Sequence, residues 1–270
     1  MNKYILLPLL LIVFASCEKA IGVDLETAAP RLVVDAAINW EKGTDGKEQH
    51  IKLSTTTGYF SAIIPTVSGA TIVVRNSANT EFPFTDSGNG DYVCTNFEPV
   101  IGETYTLTIN LNGQTYTASE TLIDVPPIDK IEQKTETGFG SEDDRIDVKT
   151  FFTDPANTND FYMTRYQTNI NAIPAYGVTD DEFFQGNQVF DLYLNPDIKQ
   201  GDVIAIRLYG ISEQYFNYMS ILTSIVGGGG PFATAPATLR GNVRHVGNPN
   251  DLVLGYFSLS EIDKRTYIVY

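Results

Sequence analysis

The sequence predicts a mainly β protein with two β domains and one amphipathic helix. Apolar and polar residues alternate along many short segments, which is the period of a half-buried strand. Turn signals rich in Gly, Asn and Asp separate these segments, and Asn112-Gly113 is the clearest of them. Apolar residues recur with helical spacing in one segment, residues 212–226.

The composition is acidic and poor in histidine and cysteine. The 270 residues include 33 acidic and 18 basic side chains, which gives a formal net charge of -15. This charge disfavours nucleic acid and anionic lipid headgroups as partners. Two histidines and two cysteines exclude a disulfide scaffold and a Cys/His zinc site, and disfavour histidine-dependent catalysis. We therefore expect a protein that is not an enzyme and holds no cofactor or metal ion.

The first 16 residues have the pattern of a removable export signal. Lys3 precedes an apolar run over residues 4–14, which is shorter than the roughly 20 residues that span a bilayer. The ending Ala15-Ser16-Cys17 resembles the lipobox of bacterial lipoproteins, although Phe14 stands where Leu or Val is usual. The resemblance implies cleavage before Cys17 and lipid attachment to it. The alternative is an ordinary secretory signal that happens to end near a cysteine.

The next element is a short tether over residues 17–30, followed by a predicted β-sandwich over residues 31–125. Its first strand places Leu32, Val34, Ala36, Ile38 and Trp40 on one face. Further strands are predicted at residues 51–55 and 70–75, followed by a hairpin that turns at Asn112-Gly113. The order of these strands resembles immunoglobulin-like and prealbumin-like sandwich modules of exported bacterial proteins.

Pro126-Pro127 interrupts strand pairing and marks the predicted start of a second β-rich domain, residues 126–270. The helix of this domain has Ser212 as a candidate N-cap and ends at Gly227. Residues 252–270 are interpreted as two further strands. The other strands predicted in this domain cover residues 128–134, 146–152, 161–170, 189–194 and 203–209.

Several segments, in the same order, resemble a Bacteroidota-type family of outer-membrane lipoproteins of unknown function. They are the stretch from Cys17 to Trp40, GATIVV and GETYTL, FFTDPANTNDFYM, PFATAPATLRGNV and DLVLGYFSLSEI. The resemblance implies a location in the outer membrane and a gene that usually neighbours one for a TonB-dependent transporter. It implies no catalytic residue.

From this resemblance we expect a lipid-anchored accessory protein of a TonB-dependent nutrient uptake system, with a binding or scaffolding role. We expect it to face the cell surface rather than the periplasm. One alternative is a free-standing surface lipoprotein that binds glycans or peptides, and another is a hydrolase that uses a pair of carboxylates.

Three acidic segments are candidate sites. Residues 142–144 and 180–182 could serve hydrolysis or bind Ca²⁺, but adjacent side chains on a strand point to opposite faces, so we interpret both as solvated loops. Residues 154–160 offer oxygen ligands, yet an EF-hand-like loop needs Gly and Glu where this chain has Asn159 and Arg165. We interpret the segment as a turn, with calcium binding as the alternative.

The remaining candidates have simpler interpretations. Cys94 lies in an alternating strand and is expected to pack as a small hydrophobe, whereas His50 and His245 are expected at the surface or at a sheet edge. The glycines of residues 227–230 lack the Lys-Ser/Thr that a phosphate loop requires. The 15 Tyr, 15 Phe and Trp40 could form a sugar platform or a docking helix, but core packing explains most of them.

Overall fold

The computed structural model describes residues 29–58, 61–136, 145–227 and 239–270. Cys17, the signal segment and the acidic residues 142–144 lie outside this part of the chain. No helix in the described part is long and apolar enough to cross a membrane.

The described chain forms fifteen strands and one helix, which confirms the predicted mainly β fold. The elements are β1 (Leu32–Glu41), β2 (Gln49–Thr55), β3 (Thr71–Arg75), β4 (Glu81–Gly88), β5 (Asp91–Cys94), β6 (Thr104–Leu111), β7 (Gln114–Thr121), β8 (Ile128–Glu136), β9 (Arg145–Thr153), β10 (Phe161–Thr168), β11 (Ala175–Asp180), β12 (Gln188–Leu194), β13 (Val203–Ile211), α1 (Glu213–Gly227), β14 (Arg244–His245) and β15 (Leu254–Ile268).

The first sandwich has one layer of β15, β1, β2 and β5 and another of β3, β6, β7 and β14. Strand β4 belongs to both layers, because its first half pairs with β3 and its second half pairs with β5. The core between the layers uses the predicted face of β1, where Val34, Ala36 and Ile38 are fully buried. The hairpin between β6 and β7 turns at Asn112 (φ 51°) and Gly113 (φ 77°), as its sequence requires.

Strand β15 connects the two halves of the molecule. Its first part runs parallel to β1, from Val33 opposite Leu254 to Glu41 opposite Ile262. Its last part runs antiparallel to β13, ending with Ile268 opposite Val203. The interpretation of residues 252–270 as two strands is therefore wrong, because one continuous strand changes partners along its length.

The pairing of β15 with β1 also changes the predicted division into residues 31–125 and 126–270. Buried side chains from residues beyond 240 lie in the core of the first sandwich, so the range 126–270 is not a self-contained second unit. These side chains are Val243, Val253, Phe257 and Leu259. The C-terminal segment pairs with the edge of β1 that β2 leaves open, so β1 has a partner on both sides.

The second sandwich packs β11, β10, β13 and the end of β15 against the three-stranded sheet of β12, β9 and β8. Its core includes Phe152, Tyr162, Tyr166, Ile204, Ile206 and Leu208. Alternation along β10 and β13 directs Met163, Tyr209 and Ile211 to the opposite face, where they form a hydrophobic cluster with Met219 of α1. This sheet is therefore covered on both faces, by a second sheet and by the helix.

The helix begins where the sequence places it. The Ser212 Oγ accepts a hydrogen bond of 3.1 Å from the Tyr215 backbone N–H, which is the geometry of an N-cap. Its apolar face carries Tyr215, Tyr218, Met219 and Leu222, at spacings of three and four residues.

Candidate functional site

A groove between α1, the start of β11 and the β1–β15 pair encloses a cavity of about 550 Å³. Strand β1 contributes Val33, Asp35 and Ala37, which alternate with its core residues and therefore face away from the first sandwich. The helix and β15 supply the opposite wall and the floor. The walls are mostly apolar and include Ile173, Pro174, Met219, Leu222, Val226 and Tyr256.

Three tyrosines form an aromatic cluster in this groove. The ring centroid of Tyr256 on β15 lies 4.7 Å from that of Tyr215 and 4.8 Å from that of Tyr218, both on α1. The two helical rings are stacked with their centroids 6.1 Å apart. Because Tyr215 and Tyr218 are three residues apart, they lie on one face of the helix, and both meet the same residue of the sheet.

Asp35 is the acidic side chain of the groove. Among the described residues, none makes a hydrogen bond or an ion pair with its carboxylate. Asp35 retains contact with solvent, but the groove walls displace part of its hydration and raise its pKa above 3.8, while Lys52, opposite it on β2, acts in the other direction.

The tyrosine hydroxyls are neutral hydrogen-bonding groups near pH 7. Burial raises the pKa of Tyr218 above 10.0, and the charge of Asp35 raises it further. Burial also raises the pKa of Tyr215, which the hydroxyl of Ser258 partly opposes. These shifts favour the protonated form, so the hydroxyls can donate hydrogen bonds but do not act as phenolate nucleophiles.

Glu120 fixes one wall of the groove from behind. It is 8% exposed on the inward face of β7, and its Oε2 accepts hydrogen bonds from the Tyr256 hydroxyl at 3.1 Å and the Ser212 hydroxyl at 3.0 Å. One carboxylate therefore positions both a groove tyrosine and the N-terminus of α1.

A second cluster joins two of the acidic segments found in the sequence. One carboxylate oxygen from each of Asp154, Asp160 and Asp181 lies within 4.8 Å of the others. The interpretation of residues 180–182 as a solvated loop is wrong for Asp181, which is 4% exposed and accepts a hydrogen bond from the Asp160 backbone N–H. The two aspartates meet because Phe161 pairs with Asp180 at the end of the β10–β11 ladder.

This aspartate cluster is largely internal. Asp154 accepts hydrogen bonds from the Tyr162 hydroxyl at 2.6 Å and the Gly186 backbone N–H at 3.0 Å. Burial raises the pKa of Asp160, and the charges of Asp154 and Asp181 raise it further, although a hydrogen bond from Thr158 opposes the shift. The three oxygens could hold a hard cation such as Ca²⁺. None of the three residues lines the groove.

The other candidates lie elsewhere. Cys94 is 1% exposed and burial raises the pKa of its thiol, as for a small core residue. His50 is exposed on β2 with its Nδ1 3.3 Å from Asp91, and His245 lies on the edge strand β14 with its Nδ1 3.0 Å from Asp251. Trp40 packs against the first core and its Nε1 donates to the Thr44 carbonyl, so it is not a free sugar platform.

The groove itself was not predicted from the sequence. Its residues come from the first strand, the β10–β11 connection, the helix and the last strand, and only long-range pairing brings them together. One local signal was present: Asp35 is the single charge within the apolar run LVVDAAINW. Because Asp35 alternates with the core residues of β1 and is exposed, this charge does not by itself identify a site.

Comparison with known families gives one extensive match. Residues 18–266 match the family described as "Domain of unknown function (DUF4249)". The chain belongs to this family. The DUF4249 match covers both sandwiches and the helix, so the groove and the aspartate cluster lie within it. No curated protein matches this DUF4249 chain.

Several solved structures match part of this DUF4249 chain at low sequence identity. They include a two-domain fibronectin type-III segment of chicken tenascin (11% identity, 61% of this chain and 85% of that chain, TM-score 0.23). A pullulanase from Anoxybacillus sp. LM18-11 complexed with maltotriose has 13% identity over 65% of this chain and 24% of its own, with a TM-score of 0.20. The adhesin InvE of Yersinia pseudotuberculosis has 16% identity over 67% and 55%, with a TM-score of 0.22. These scores carry no functional argument.

Proposed function

We propose that this protein is a lipid-anchored accessory protein of a TonB-dependent uptake system in the outer membrane, where it binds a ligand without chemical conversion. The observation that carries the binding role is the groove between α1 and the β1–β15 pair. Its volume of about 550 Å³ lies within the range of roughly 300–1,000 Å³ that is usual for small-molecule sites.

The chemistry of the groove supports binding over catalysis. Its walls are apolar and aromatic, and its polar groups are one carboxylate and several neutral hydroxyls. The described residues that line the groove include no histidine and no cysteine. Groups of this kind orient a ligand, whereas general acid–base or nucleophilic catalysis needs an activated base or nucleophile beside them.

The proposed anchor is Cys17. The ending Ala15-Ser16-Cys17 after an apolar run supports cleavage and lipid attachment at this residue. Two or three acyl chains hold a protein firmly on a membrane, since each buried CH₂ contributes about 0.8 kcal/mol.

The anchor is tested by Cys17→Ala. This variant should leave the membrane pellet and appear in the soluble fraction after fractionation of cells. Cys94→Ala is the matched control, which removes the other cysteine and should stay in the pellet. If the Cys17→Ala protein sediments like the wild type, lipid attachment at this residue is wrong.

The proposed transporter partnership is supported by the family resemblance, an associational argument that requires a direct test. Affinity purification of the tagged protein from detergent-solubilised outer membrane should recover a TonB-dependent transporter at a near-stoichiometric level. Recovery of the protein without any transporter would instead favour a free-standing binding lipoprotein.

Protease treatment of intact cells tests the proposed orientation, because a surface-facing protein is degraded and a periplasmic one is protected.

A further inference from the structure

We propose that the groove selects an organic cation, namely a primary amine attached to an apolar body. This inference rests on the binding role proposed above, and it names the class of ligand. It follows from the charge, the aromatic rings and the shape of the groove.

The charge of the groove favours a cation. Asp35 is the one lining residue that carries a formal charge at neutral pH, and no Lys, Arg or His is found among the described lining residues. An anionic ligand would meet a like charge with no counter-ion inside the groove. An ammonium group would instead form a charge-assisted hydrogen bond to the carboxylate.

Asp35 is accessible for pairing with a ligand cation. Asp35 is exposed and makes no hydrogen bond to another described residue, so its carboxylate oxygens are open to a donor group of a ligand. Lys52 is its cross-strand neighbour on β2, but it does not come within ion-pair distance and is not part of the groove wall. A ligand ammonium bound in the groove would pair with this carboxylate.

The aromatic cluster adds a second reason. The rings of Tyr215, Tyr218 and Tyr256 lie with their centroids 4.7–6.1 Å apart and line the same groove as Asp35. Electron-rich tyrosine faces attract cations and are a known means of recognising ammonium groups. Asp35, Tyr215 and Tyr218 line one groove, so one ligand bound there can contact the carboxylate and the rings.

The rest of the wall fits an apolar body. Val33 and Ala37 on β1, Met219 and Leu222 on the helix, and Ile173, which is 78% exposed, all line the groove. Burial of apolar ligand surface against these side chains contributes roughly 25 cal/mol per Å². The amine would therefore lie at Asp35 and the apolar part along the helix.

Calorimetric titration of the mature chain with three matched probes tests this inference. The probes are 2-phenylethylamine, the neutral 2-phenylethanol and the anionic 3-phenylpropanoate, which share one apolar body and differ in charge. We expect the amine to bind at least tenfold more tightly than the alcohol, and the anion to bind more weakly than both. Equal affinities for amine and alcohol, or no detectable binding of any probe to the folded protein, would overturn the inference.

Variants then assign the selectivity to residues. Asp35→Asn keeps the shape of the side chain and removes its charge, so it should reduce the preference for amine over alcohol to less than threefold and leave alcohol affinity unchanged. Tyr218→Leu keeps apolar volume and should weaken amine binding three- to tenfold with a smaller effect on the alcohol. Glu182→Gln, an exposed change outside the groove, is the control for net charge and should behave like the wild type. Selectivity that persists in Asp35→Asn contradicts the assignment.

The outcome is separable from that of the wider proposal. Asp35→Asn should still co-purify with the transporter and remain in the membrane, because the substitution preserves the shape of the side chain and the proposed anchor is Cys17. If amine selectivity fails while co-purification holds, only the ligand class is wrong. If amine selectivity holds and no transporter is recovered, the ligand class stands and the partnership is wrong.

Discussion

Glu120 shows how one buried charge can organise several elements. It follows Tyr116 and Ala118 on the inward face of β7, where alternation would place an apolar residue. Its three hydrogen bonds come from the Thr121 backbone N–H, the Ser212 hydroxyl and the Tyr256 hydroxyl. Burial raises its pKa above 4.5 against the effect of these bonds, so desolvation outweighs them.

Substitution of Glu120 separates hydrogen bonding from charge. Glu120→Ala leaves two hydroxyl donors without their acceptor and should lower the free energy of unfolding by about 1–3 kcal/mol. Glu120→Gln keeps an acceptor oxygen and removes the buried charge, so it should lie within about 1 kcal/mol of the wild type at pH 7. Urea unfolding of both variants measures these values, and a Gln variant as unstable as the Ala variant would contradict the account.

The pH dependence of this effect has a defined sign. A carboxyl whose pKa is raised by folding binds more protons in the folded state, so its contribution to stability is complete below about pH 4.5 and is lost as the pH rises through the folded value. The stability of the wild type relative to Glu120→Gln should therefore fall as the pH increases from 4.5. A difference that rises over this range would mean that the hydrogen bonds, and not burial, dominate.

Elements that depend on local signals could be predicted from the sequence. The β6–β7 hairpin follows from Asn112-Gly113, and the helix follows from the Ser212 cap and its apolar spacing. Strand β11 was not predicted, because AYGVTD contains a glycine and little alternation, and it exists only through pairing with β10. The groove and the aspartate cluster could not be predicted either, since each depends on a register between distant segments.

Strand β15 packs tightly against β1 at Gly255. This residue has φ +89°, and a Cβ there would lie 1.9 Å from the Val34 carbonyl oxygen. Gly255→Ala should therefore lower the free energy of unfolding by about 2–4 kcal/mol, through backbone strain together with overpacking. Chemical denaturation followed by circular dichroism measures the loss.

Gly43→Ala is the matched control for this effect. Gly43 has a similar φ of +83°, but a Cβ there has no atom within 4 Å. Its substitution should cost only the backbone strain, about 1 kcal/mol. Equal losses in the two variants would show that the close contact between β1 and β15 is not important for stability.

The two sandwiches are joined by more than a covalent linker. Strand β15 pairs with β1 in the first and with β13 in the second, and its acidic side chains bind the connecting segment. Glu261 accepts a hydrogen bond from the Val125 backbone N–H at 3.0 Å, and Asp263 accepts one from Ile128 at 2.6 Å. The diproline between these residues is thus held against the shared strand, and the groove lies where the sandwiches and the helix meet.

A shared central strand predicts that both sandwiches unfold together. Trp40 is the one tryptophan of the chain and packs against the first core, so its fluorescence reports the first sandwich. Ile206→Ala removes a fully buried side chain from the second core and should cost about 2–5 kcal/mol. We expect this change to shift the Trp40 transition and the circular dichroism transition by the same amount, as in a two-state protein. Phe257→Ala, in the first core, is the reciprocal variant and should shift both signals equally. A Trp40 transition that is unmoved by Ile206→Ala would mean that β15 does not couple the sandwiches and that each unfolds independently.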